Sequence, residues 1–169
     1  MKRDLRSIVL SVCAASAVFI SACDGGSADP AKLTDSGYAA LGTRDWKGAL
    51  GDFDKALATL KPADAGFLRA KMGRVETLIH SDAAKAKTEF LELAASMSAQ
   101  VNSKDFIAVS SKLTAEHKFA DAIDVLAAGL KAFPTDAKVK AVGDRIKEEA
   151  TKAGDSEALK SLKGLGYLG

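Results

Sequence analysis

Asp45-Trp46-Lys47-Gly48-Ala49-Leu50-Gly51-Asp52-Phe53-Asp54-Lys55-Ala56 is the stretch whose spacing decides the fold. Ala49, Phe53 and Ala56 follow in steps of four and three, which puts them on one face of a helix. The same steps return at Ala86, Phe90 and Leu93, and again at Ala122, Leu126 and Gly129. Copies roughly 36 residues apart predict a stack of like units rather than a globule around one central core. Gly and Ala are abundant, aromatics make up only 6% of the chain, and runs of Val, Ile and Thr are missing. The units therefore read as closely packed helices, and the chain as all-α.

Working outward, the first unit spans about residues 30–65, with helices over 31–41 and 46–60 and Thr43-Arg44-Asp45 as the turn. The second, about 66–102, carries Leu68, Met72, Val75 and Ile79 on the stripe of its first helix. Gly73 and Ala86 stand one residue further apart than Gly37 and Ala49, which predicts an enlarged turn at His80-Ser81-Asp82-Ala83 with Ser81 or Asp82 as N-cap. The third, about 103–136, offers Phe106, Val109, Ser110 and Leu113 for packing. Helices over 137–152 and 155–163 then predict a capping pair, since the last repeat of a stack has no neighbour to cover it. Residues 165–169 are expected to fold back over the open end.

This pattern resembles the tetratricopeptide repeat, a pair of helices of about 34 residues. With Gly37 at the family's position 8, Trp46, Ala49, Phe53 and Ala56 fall at 17, 20, 24 and 27, and Pro62 comes one residue after 32. In the third unit Phe119, Ala122, Leu126, Gly129 and Pro134 fall at 17, 20, 24, 27 and 32. The resemblance covers nearly all the chain beyond its leader. It implies a right-handed helical solenoid of about three helix pairs plus a C-terminal capping pair, occupying residues 31–169. Phe53 and Trp46 would fill the gap between the helices of the first pair. Such proteins usually bind extended peptides or partner helices in a groove lined by the first helix of each pair. Carried over, the groove positions are Thr34, Tyr38 and Leu41; Phe67, Ala70, Arg74 and Thr77; Ile107, Ser111 and Thr114. Arg74 is the only charge among them, which departs from the clamp that grips a C-terminal carboxylate. Tyr38, Leu41, Phe67 and Ile107 favour an apolar peptide or helix instead. The bland alternative has Phe67 and Ile107 packing on the preceding repeat.

The chain opens with Lys2, Arg3 and Arg6, an apolar run from Ile8 to Ile20, and small residues at Ser21 and Ala22. That order reads as an export signal, and the run falls short of the roughly 20 residues a spanning helix needs. Ile20-Ser21-Ala22-Cys23 resembles the lipobox of bacterial lipoproteins. The resemblance implies a leader over 1–22, cleavage before Cys23, a diacylglyceryl group on its thiol and usually an acyl chain on its new amine. Several chains at about 0.8 kcal/mol per buried CH₂ make a durable anchor. Residues 23–30 form a flexible tether. Asp24 resembles the signal that retains enterobacterial lipoproteins at the inner membrane, the outer membrane being the other destination. Cys13 leaves with the leader, so no intramolecular disulfide is expected. Losing Lys2, Arg3, Arg6 and Asp4 leaves 21 basic and 21 acidic residues. A formally neutral chain has no nucleic-acid footprint.

For chemistry the chain offers His80 and His117, both near turns and without a carboxylate at pairing distance in sequence. They read as solvated turn residues rather than a metal site or general base. No nucleophile elbow, phosphate-binding loop or zinc spacing is present in the sequence, and Asp52/Asp54 and Glu148/Glu149 read as solvated faces. The expectation is a non-enzymatic adaptor in the bacterial envelope, facing the periplasm and serving assembly, secretion or pilus-type machinery. It needs no cofactor beyond the lipid on Cys23. A self-associating structural lipoprotein is the second reading; a small-ligand protein or enzyme is the third.

Overall fold

A computed structural model describes residues 29–168. The leader, Cys23 and residues 24–28 lie outside the described residues, as does Gly169. Among those described there are eight helices: α1 (Pro30–Gly42), α2 (Trp46–Thr59), α3 (Phe67–Ser81), α4 (Ala83–Ser96), α5 (Ser103–Ala115), α6 (Phe119–Ala132), α7 (Ala137–Ala153) and α8 (Ser156–Gly164). They form an all-α stack of helix pairs. Within each pair the helices pack on each other; α3 also lies against α1 and α2, α5 against α3, α6 against α4, α7 against α5 and α6, and α8 against α6.

Short polar side chains start most of these helices by taking backbone N–H groups that have no intrahelical partner. Asp29, Asp45, Asp82, Asp136 and Asp155 each accept from the first turn they precede, and Asn102 and Asp105 form a reciprocal capping box. Asp29 and Pro30 thus belong to α1 rather than to the tether, because proline at the first helical position surrenders an N–H that would have had no partner.

Three junctions within pairs close in one way. Arg44 (φ 62), His117 (φ 54) and Gly154 (φ 70) turn left-handed, and the next amide donates back to the carbonyl five residues earlier. These closures are Asp45 to Ala40, Lys118 to Leu113 and Asp155 to Ala150, each at 2.9 Å. The α3–α4 junction differs from its expectation. It is not enlarged but consists of Asp82 alone, and the extra residue is absorbed into a longer α3. Leu78 and Ile79 are buried there, so the helix has apolar surface to gain by running on to Ser81.

The first interior is built on Phe53, which is fully buried. Its ring lies between Gly37 of α1 and Gly73 of α3; a Cβ built at Gly37 would stand 2.8 Å from Phe53 Cε1, and one at Gly73 would stand closer still. Tyr38 closes the site edge-on, with centroids 5.1 Å apart. Further along, Phe90 meets Phe106 at 5.0 Å and Phe106 meets Phe133 at 5.8 Å, both edge-to-face. In the third pair a smaller Leu126 stands where Phe53 and Phe90 stand, and Ser110 takes the glycine's place, donating to the Ala122 carbonyl at 2.8 Å. Trp46 does not fill the gap inside the first pair: it is half-buried at the turn edge.

The described part of the tail, residues 165–168, folds back onto α7 through Tyr167. Gly166 (φ 87) repeats the left-handed turn, and Tyr167 N–H donates to Leu162 at 3.1 Å. The Tyr167 ring then lies on Gly143, where any side chain would overlap it, and its hydroxyl donates to the Lys140 carbonyl at 2.8 Å. Burial raises the Tyr167 pKa, with Asp144 adding to the shift.

Two outcomes are expected. Gly73→Ala should lower stability in urea unfolding by about 1–3 kcal/mol, the usual cost of overpacking, and adding Phe53→Leu should recover part of that loss rather than deepen it. Tyr167→Ala should cost about 1 kcal/mol; because Gly143→Ala removes the same contact, the double variant should be no less stable than the weaker single one.

Candidate functional site

The ten groove positions carried over from the family do not line one surface. Thr34, Leu41, Ala70, Thr77 and Thr114 are buried. The three threonines donate to carbonyls four residues back, Pro30, Gly73 and Ser110, at 2.8–2.9 Å, so their hydroxyls are satisfied inside the stack. Ile107 is half-buried at the seam with α7, beside Val139 and Val142. Tyr38 is half-buried, with its hydroxyl donating to the Arg69 carbonyl at 2.9 Å; burial raises its pKa, with Glu76 adding to the rise. Ser111 keeps partial exposure.

Arg74 leaves the proposed groove and reaches the second helices of two pairs. It donates to Asp54 of α2 at 2.6 Å and also bonds Glu89 of α4. Burial alone would lower its pKa; the two carboxylates outweigh that and hold the guanidinium above its ordinary value. Other pairs also join neighbouring units: Arg69 to Asp35 at 2.6 Å, Lys112 to Glu76, and Lys87 to Asp121 and Asp124 at 2.9 and 2.7 Å. The Lys112–Glu76 pair spans the notch between α3 and α5 beside Met72 and Ala108, which leaves only about 50 Å³, room for a water or two.

Phe67 is the groove position that does face a cavity. About 240 Å³ opens between the start of α3 and the end of α4, over Phe67, Leu93, Met97 and Pro62, with Lys71, Glu89 and Glu92 at its rim. The two neighbouring connections, residues 60–66 and 97–102, are longer than residues 133–136 between α6 and α7, and they supply Pro62 and Met97. An apolar floor with charged walls suits a single large side chain offered by a partner.

A second cluster escaped sequence reasoning. Trp46 stacks on His80 with centroids 3.9 Å apart and ring planes 13° from parallel, and His80 Nδ1 lies 3.2 Å from Glu116 Oε1. His80 is therefore not a free turn residue; it joins the turn edges of three successive pairs. Arg44, His80 and Glu116 recur at intervals of 36 residues, the signal that could have placed them together. His117 is an exposed left-handed turn residue near Phe119, as read. Among the described residues there is no group of His, Cys, Asp and Glu able to hold a metal ion, and no helix long and apolar enough to cross a membrane.

Trp46 is the only tryptophan, so intrinsic fluorescence reports this edge. His80→Ala should make the emission more accessible to acrylamide and cost about 0.5–1.5 kcal/mol of stability, while His117→Ala leaves the emission unchanged. The chain matches no protein-family model, no curated protein and no solved structure.

Proposed function

We propose that this chain is a tetratricopeptide lipoprotein, anchored through Cys23, that holds a protein partner at the bacterial envelope on its periplasmic side. The observation that carries the reading is the cavity over Phe67. Its volume of about 240 Å³ lies below the ~300–1,000 Å³ usual for small-molecule sites and suits one side chain of a peptide or helix. The repeat spacing and the stack of helix pairs support the family reading, and the lipobox at Ile20–Cys23 supports the anchor. Asp24 favours the inner membrane.

Anchoring makes a small site sufficient. A partner in the same membrane meets the cavity at an effective concentration of order millimolar, so an intrinsically weak contact is still occupied. The tether over residues 23–28 keeps the stack close to the bilayer, within about 20 Å at 3.3–3.6 Å per residue. Partners of this kind belong to assembly, secretion or pilus-type machinery.

In intact cells, a photo-crosslinker at Phe67 should capture one envelope protein that a probe at the exposed Lys55 does not, and Cys23→Ser should abolish capture while releasing the chain from the membrane fraction. Equal labelling from Phe67 and Lys55 would defeat the adaptor reading.

A further inference from the structure

The charges around the Phe67 cavity are not equivalent. Lys71 lies over the Phe67 ring, its Nζ 5.9 Å from the centroid, and is partly satisfied by the ring's negative face. Glu89 is bonded to Arg74, which also holds Asp54. Glu92 is exposed and makes no ion pair among the described residues, although it stands at the cavity mouth one helical turn from Glu89. Carboxylates at this corner, Asp54, Glu89 and Glu92, outnumber the cations Arg74 and Lys71. The α4 wall of an apolar cavity is thus an acidic wall with one carboxylate unengaged.

We infer that the cavity takes one large apolar side chain from a peptide segment that carries Lys or Arg beside it, the apolar group seated on Phe67, Leu93 and Met97 and the cation meeting Glu92. This rests on the adaptor reading and gives its partner a chemistry. The apolar anchor supplies affinity because it leaves water on entering a site whose floor is already formed. The cation supplies selection: an acidic neighbour would face Glu92 at close range, a juxtaposition that rejects partners more than it strengthens the accepted one. The cavity opens between the two helices of one pair, away from the α3–α5 notch that the Lys112–Glu76 pair spans.

The test is selection of a random peptide display library on the full lipidated chain in detergent, repeated on Glu92→Lys and on Ser96→Trp. Ser96 is exposed at the cavity mouth, so a tryptophan there blocks entry without entering the core, and an unchanged helical spectrum shows that the variant folds. Peptides selected on the parent should share a Leu, Ile, Met or Phe with Lys or Arg next to it. Ser96→Trp should weaken them at least about tenfold. Glu92→Lys should weaken them about two- to fivefold at low salt and should itself select acidic neighbours. Peptides that depend on the open mouth but show the same flanking residues on parent and Glu92→Lys would overturn the inference and leave the adaptor reading standing. Peptides indifferent to Ser96→Trp, or none at all, would overturn it too; the adaptor reading falls with it only when the crosslinker at Phe67 also fails to distinguish itself from Lys55.

Discussion

An aromatic ring held between two glycines governs how the first pair meets the second. Phe53 belongs to α2, but the surfaces that receive it are Gly37 of α1 and Gly73 of α3. A side chain on either would push the helix away by the width of a methyl group, and the interdigitated interior has no slack to absorb that. The spacing between α1 and α3 is therefore set by ring thickness. The inter-pair contacts gathered around it, Tyr38 to the Arg69 carbonyl, Arg69 to Asp35 and Arg74 to Asp54, all depend on that spacing. Further along, the same balance is met with different sizes: Leu126 is smaller than phenylalanine, and Ser110 can then replace glycine and use its hydroxyl on the Ala122 carbonyl.

Two kinds of junction divide the labour. Inside a pair the left-handed residue and its returning amide fix the helix-to-helix angle locally, and three of the four pairs use this device. Between pairs the connections vary in length, and the cavity over Phe67 opens where they are longest. The regular part of the repeat thus builds the frame, while the irregular part leaves room for a site. The last left-handed turn, at Gly166, follows the same rule with no further helix to launch, and it delivers Tyr167 onto Gly143 instead.

Periodicity made the frame legible. Ala49, Phe53, Ala56, Ala86, Phe90, Leu93, Phe119, Ala122, Leu126 and Gly129 are all buried, and α7 and α8 begin within a residue of where the apolar spacing puts them. Surface assignment was harder, because adjacent helix positions point about 100° apart and a frame transferred one residue off exchanges inside for outside. Thr34, Thr77 and Thr114 show the difficulty. The family's frame put them in the groove, but each hydroxyl finds a carbonyl one turn back and needs no water. Arg74 misled in another way, since its long side chain leaves its own helix face to reach Asp54 and Glu89. The stack of Trp46 on His80, and His80 beside Glu116, join residues distant in sequence and become visible only when successive units are aligned on one another.

The buried apolar residues fall into two groups of unequal size. Leu41, Ala49 and Phe53 form a small cluster with Tyr38, Ala40 and Trp46, separate from the larger one that runs from Val75 to Leu162. Opening α1 and α2 together exposes the small cluster, breaks the Phe53 seat and uncovers the large cluster only where Leu50 packs on it, whereas opening any later pair breaches the large one. In a stack whose stability is close to a sum of unit and interface terms, the α1–α2 pair at the edge opens at the loss of one inter-pair interface, whereas an interior pair loses two. Residues 30–59 would then be loose chain ahead of α3, while Leu93 and Met97 still line the cavity over Phe67.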